Sequence, residues 1–138
     1  MRITLFTFLI ASLAPLAHAQ DVTGDWAGKY ICAQGVTALN LTISKANAPG
    51  DVTAVFRFGP LPENPDVPKG EYRMSGRYDP VARRITLNGD RWINQPNGYV
   101  MVGLDGVMSS TGQKIAGHVP DLFTCTDFEV WRPVQLVG

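Results

Sequence analysis

Along most of the chain apolar residues return at every second position, and nowhere for long at every third or fourth. That period belongs to strands with one buried face. Trp26, Tyr30 and Cys32 share one side of a first strand over 29–33, which turns at Gln34-Gly35. Leu39, Leu41 and Ile43 then alternate with Asn40, Thr42 and Ser44 across 37–44, and a turn at 47–50 follows. Val52, Ala54, Phe56 and Phe58 point one way while Thr53 and Arg57 point the other. Tyr72, Met74, Gly76 and Tyr78 line one face of 71–78, Asp79-Pro80 begins a turn, and Ile85 and Leu87 face inward from 84–87. Asn88-Gly89 is the dipeptide that a two-residue hairpin favours, so Arg91-Trp92-Ile93 is expected to pair back. Strands over 99–104 and 107–110, separated by a turn at Asp105-Gly106, precede two more over 114–119 and 126–132. Eight or nine short strands between glycine-rich turns predict an all-β fold, a small antiparallel β-barrel or a curled sandwich.

The stretch 59–70 interrupts this pattern with Pro60, Pro62, Pro65 and Pro68, none of which can serve inside a sheet ladder. A structureless segment that long in a small domain is either a stiff surface loop or one that meets a ligand. Gly28-x-Tyr30, Gly70-x-Tyr72 and Gly76-x-Tyr78 form a loose repetition, in which bare glycine backbone gives room to a ring from the next strand.

Residues 1–19 read as a signal peptide. Met1-Arg2 is a short positive start, Ile3 to Leu16 is almost wholly apolar, and Ala17-His18-Ala19 offers the small residues of a cleavage site. The apolar run is shorter than a membrane span of about 20 residues, so no stable membrane insertion is expected. Residues 20–138 then form a single domain, periplasmic or extracellular. In an oxidising compartment Cys32 and Cys125 are expected to pair as a structural disulfide near the two ends of that domain. They are too far apart for a redox pair, and two thiols with one histidine make a poor metal set.

Loss of Arg2 with the leader leaves eleven basic side chains against twelve acidic ones. The basic residues are scattered, and acids interrupt the cluster Arg73, Arg77, Arg83, Arg84 and Arg91, which argues against a nucleic-acid partner. Phosphate-loop, dinucleotide and zinc spacings are missing from the sequence, and Asp105-Gly106 lacks the oxygen ligands of a calcium loop, so no cofactor or metal is expected. His118 is the one histidine beyond the leader, with Asp121 nearby and Ser109, Ser110 and Thr111 in a neighbouring turn. A hydrolase built on His118 needs a serine and a carboxylate within hydrogen-bond reach of it, and nothing presents the serine on a sharp strand-to-helix turn. The plainer reading is a surface histidine at a strand end, and no catalytic residue is assigned.

The segment 89–99 is the most suggestive surface. Arg91, Trp92, Asn94, Asn97 and Tyr99 combine two rings, a planar cation and amides in a turn-rich stretch, a set that grips a peptide or stacks on a sugar. These are the candidate ligand-binding residues. The competing view is that Trp92 and Tyr99 plug one end of a barrel.

Gly28-x-Tyr30-x-Cys32-x-Gln34-Gly35-x-Thr37-x-Leu39-x-Leu41-x-Ile43, with Gly76-Arg77-Tyr78-Asp79, Trp92-Ile93 and Pro96-x-Gly98-Tyr99, resembles a small exported all-β domain family without an assigned activity. Gly24-x-Trp26 looks like the short signature of lipocalin-like barrels, with Arg132 as the cation over that indole. The first resemblance implies the fold. The second implies a small apolar ligand, held in a cavity lined by Phe56, Phe58, Tyr72, Met74 and Met101. The reading favoured by the sequence is a secreted, non-enzymatic binding module that recognises an exported envelope protein or a glycan, inhibition of a hydrolase included. A lipocalin-like carrier comes second and an enzyme using His118 third.

Overall fold

The computed structural model describes Ala11 and residues 21–134. The expected leader and its cleavage point, Ala11 apart, lie outside the described residues. Eight strands follow one another: β1 (Gly24–Cys32), β2 (Gly35–Lys45), β3 (Asp51–Gly59), β4 (Gly70–Asp79), β5 (Arg84–Asn94), β6 (Leu104–Met108), β7 (Lys114–His118) and β8 (Asp127–Trp131). Each pairs antiparallel with the next, and β1 pairs with β8, closing an up-and-down barrel. The all-β class and the crosslink Cys32–Cys125 (S–S 2.00 Å) are as the sequence predicts, and of the two expected architectures, barrel or curled sandwich, the fold is the closed barrel.

The alternation decides the inside. Trp26 and Tyr30 of β1, Leu39, Leu41 and Ile43 of β2, and Ala54, Phe56 and Phe58 of β3 are all buried. Tyr72, Met74, Ile85, Leu87, Leu104, Met108, Ile115, Phe128 and Val130 complete the lining. Outward positions carry ion pairs such as Lys29–Glu129 at 3.6 Å and Arg57–Glu71 at 3.2 Å.

Glycines set how closely the wall can curl. A Cβ on Gly70 would stand 2.2 Å from the Phe58 ring, so there a neighbouring ring does lie over bare backbone. At Gly28 and Gly76 the neighbour is the next strand itself: a Cβ would meet Glu129 O at 1.9 Å and Thr86 O at 1.8 Å.

Three expectations need correction. Asn88-Gly89 does not turn the chain; β5 runs straight through it, and the register slips past Asp90 and again past Ile93 as β-bulges against β4. Gly89 lacks the positive φ that such a hairpin requires and is small for another reason, since its Cβ would fall 2.6 Å from Met101 Cβ. Asp105-Gly106 likewise lies within β6, where Gly106 makes room for the Phe128 ring, 2.7 Å from where a Cβ would stand. Third, the stretch from Tyr99 to Gly103 is irregular, and strand structure resumes only at Leu104.

Candidate functional site

An antiparallel barrel sends every odd-numbered connection to the same end. The turn 33–34 and the long connections 60–69, 95–103 and 119–126 therefore gather at one mouth, along with the disulfide. The proline-rich stretch and the segment singled out for its rings share this end. The opposite end, the base, carries the short connections together with the entry to β1 and the exit from β8.

The mouth is closed by its own side chains. Tyr99 stacks on Phe58 with centroids 5.4 Å apart and planes 20° from parallel. Trp92 meets Phe58 and Tyr72 edge to face at 6.3 and 5.0 Å, and Tyr72 in turn stacks on Phe56 at 4.6 Å. Tyr30 adds its edge to Phe56 at 5.2 Å. The Tyr72 hydroxyl donates to Val102 O at 2.9 Å and accepts from Val102 N–H at 3.0 Å, which fastens 95–103 across the lumen. Burial pushes the Tyr30 and Tyr72 phenols up, so both stay neutral. The proline-rich connection is anchored by Asn64, whose side-chain amide donates to Gln34 O at 2.7 Å and Val36 O at 3.0 Å. Gln34 holds the rim by donating to Tyr30 Oη at 3.2 Å and Thr37 Oγ1 at 3.1 Å.

The five candidate residues do not converge on one pocket. Trp92 and Tyr99 are half-buried in the plug, while Arg91, Asn94 and Asn97 are exposed. Arg91 sits opposite Arg73 on the outer wall. Asn94 lines an outer groove of ≈ 450 Å³ with Asn40, Arg57, Lys69 and Glu71. Tyr99 instead borders a half-open groove of ≈ 240 Å³ with Val100, Val102, Leu122 and the two cysteines. On the rim around it Val100 is 63% exposed and Phe123 is 99% exposed. Sequence reasoning passed over Val100, Leu122 and Phe123. For Leu122 and Phe123 the available signal was their place, apolar residues in a connection between strands; Val100 was hidden inside the strand expected over 99–104.

His118 stands on the outer wall, its Nε2 4.0 Å from Asp105 Oδ2. Ser109 lies beyond the far end of the same β6–β7 ladder, bonded to Thr111 and to Lys114 N–H, so no serine–histidine pair forms there. Among the described residues no group of three histidine, cysteine or acidic side chains could hold a metal ion. Phe56, Phe58 and Met74, expected around a cavity, are buried core residues, and the rings of Phe56 and Phe58 pack against each other and their neighbours. Neither a scan of protein-family models nor a search of the curated proteins finds a match to this chain.

Proposed function

We propose that the chain is an exported, non-enzymatic binding domain that recognises another exported protein through the mouth of its barrel. The observation that carries this is the pairing of a ring-filled lumen with solvent-exposed Val100 and Phe123 beside a half-open groove. Aromatic and aliphatic side chains left in water on well-anchored loops are what a protein interface uses at its centre. They favour a protein over a glycan, and blocking the cleft of a hydrolase is one form such recognition takes. Asn97, exposed on the connection 95–103, supplies a polar contact at the rim, while Arg91 stands on the outer wall within β5. Export is supported by the leader pattern and by the disulfide, which persists where thiols are oxidised.

The carrier of a small apolar molecule is the second reading, supported by the eight-stranded closed barrel and by Arg132 lying over Trp26. One experiment separates the two. The purified protein and a Val100→Asp/Phe123→Asp variant are cross-linked in envelope extract, and the protein is also extracted for bound small molecules. A defined protein captured by the parent and lost in the variant supports mouth recognition. Equal capture by both overturns it, and a stoichiometric small molecule in the extract moves the assignment to the carrier.

A further inference from the structure

The rim of the mouth carries charge of one sign. Its connections 33–34, 60–69, 95–103 and 119–126 hold Glu63, Asp66 and Asp121 against a single base, Lys69. Asp127 adds a fourth acid as the first residue of β8. All four acids are exposed, and among the described residues none of them is in an ion pair. The base of the barrel leans the other way. Its connections 46–50, 80–83 and 109–113, with 21–23 and 132–134, hold Arg83 and Arg132 against Asp21, and that acid is already paired with Lys45. A chain whose charges balance overall is thus polarised from mouth to base.

The acids flank the half-open groove beside Val100 and Leu122, whose lining contains no charged side chain. Asp121 stands on one side of it, directly before Leu122 and the exposed Phe123. On the other side Glu63 and Asp66 bracket Asn64, whose amide donates to Gln34 O, and Gln34 lines the groove as well. An uncharged apolar centre inside a charged border is the layout of a protein interface. Carboxylates that lack a partner within the chain favour an approaching surface of opposite sign and oppose one of like sign. We propose that the protein recognised at the mouth is basic, with an apolar cleft that takes Phe123 and a border of lysine and arginine that faces the four carboxylates. This rests on the reading of the mouth as a protein-binding surface and adds the chemistry of the partner. The two parts divide the kinetics: the rim acids set association, and the apolar centre sets dissociation.

The test splits envelope extract by ion exchange at neutral pH into basic and acidic proteins and offers each pool to the immobilised protein. Whatever is captured is identified, purified and used for kinetics with the parent and three variants. Glu63→Gln/Asp66→Asn/Asp121→Asn removes charge alone, since asparagine tolerates the positive φ of 69° at position 121. It should associate about tenfold more slowly at low salt, with dissociation nearly unchanged, and the gap should close near about 0.5 M salt. Lys69→Gln removes the one base of the rim connections and should associate faster than the parent. Phe123→Ser should dissociate at least about tenfold faster, as the loss of a central anchor does. Capture from the basic pool with these three changes is the expected result. A partner from the acidic pool that Phe123→Ser releases, or association that ignores the rim acids, overturns this inference and leaves mouth recognition standing. Capture that Phe123→Ser does not weaken, or no capture from either pool, removes mouth recognition and this inference together.

Discussion

The Arg132 guanidinium lies over the Trp26 indole, its central carbon 4.2 Å from the ring centroid. The same cation donates from Nε to Gly112 O at 2.8 Å, from Nη1 to Thr23 O at 2.9 Å, and from Nη2 to Asp21 O. The indole donates to Val22 O at 3.0 Å. One side chain past the end of β8 thus ties the entry to β1 and the β6–β7 connection over the base, as the resemblance read from Gly24-x-Trp26 implies. Arg132→Ala is expected to lower stability by about 2–3 kcal/mol, combining the lost cation–π contact with carbonyl oxygens left short of a donor. Arg132→Lys keeps the charge without the planar fork and should fall between the two. Urea unfolding of the three proteins checks the order.

The crosslink acts at the other end. Cys32 and Cys125 are 93 residues apart in sequence and join the tip of β1 to the connection that leads into β8. Replacing both by serine should remove about 4–5 kcal/mol in the ideal-chain account, since the unfolded chain regains the freedom of a long loop. Denaturant midpoints measured with and without reductant test this: reductant should move the parent toward the variant and leave the variant where it is.

Two glycines should respond very differently to the same change. Gly28→Ala places a methyl group 1.9 Å from Glu129 O, against backbone that cannot move without parting β1 from β8. A loss of about 3 kcal/mol or more is expected, at the upper end of overpacking effects. Gly98 has φ +80° but nothing within 4 Å of a new Cβ, so Gly98→Ala should lose only about 1 kcal/mol through backbone strain. Thermal melts that ranked the pair the other way would show that the β1–β8 seam is not the tight contact described.

These glycines also explain what the sequence could and could not disclose. The period of two is a local property, so the inward rows Leu39-Leu41-Ile43 and Val52-Ala54-Phe56-Phe58 were readable at once, and the all-β class with them, whereas closure into a barrel rather than a curled sandwich depends on β1 meeting β8. Asn88-Gly89 and Asp105-Gly106 misled because the dipeptide does not say why the glycine is there. One needs space for Met101 and the other for Phe128, and those neighbours arrive from connections and strands far along the chain. The candidate site was readable only as a segment. Trp92 and Tyr99 serve the plug because Phe58 and Tyr72 meet them there, and Val100 and Phe123 stand in water because of the paths of two loops. Neither fact is written in local spacing.

Acid should weaken the β5–β6 seam through one carboxyl. Asp105 accepts from Arg84 Nε at 2.9 Å and from Nη2 at 2.6 Å. The Arg84 hydrogen bonds, and its charge, hold the Asp105 carboxyl below the usual aspartate value against partial burial, and His118 adds a smaller pull. A carboxyl lowered in the folded state contributes stability that is complete above the unfolded value, and that contribution is lost as pH falls through the folded one. Asp105→Asn should therefore start less stable at neutral pH and fall less steeply on acidification. Arg84 is exposed and solvent screens its side of the pair, so the difference will be modest and is best read at low salt. Parallel slopes for the two proteins would assign the acid response to other carboxyls.

The fastening of the mouth rests on one hydroxyl. Tyr72 Oη bonds both the N–H and the carbonyl of Val102, and the Tyr72 ring sits between Phe56 and Trp92. Tyr72→Phe preserves the stacking and removes only the oxygen, leaving two backbone groups of a buried residue unpaired. A global loss of about 1–3 kcal/mol is expected. The more telling effect should be local. Amide exchange in 95–103 should quicken through openings that do not unfold the barrel, because the connection is then left with side-chain packing, the Tyr99–Phe58 stack and Met101 at Gly89 included, and its own internal bonds from Gln95 to Tyr99 O and from Tyr99 to Pro96 O. Residues of β2 and β3, which do not touch this hydroxyl, should slow or quicken only with global stability. Uniform quickening across the molecule would mean that the connection is not a separate unit and that the mouth opens only when the barrel does.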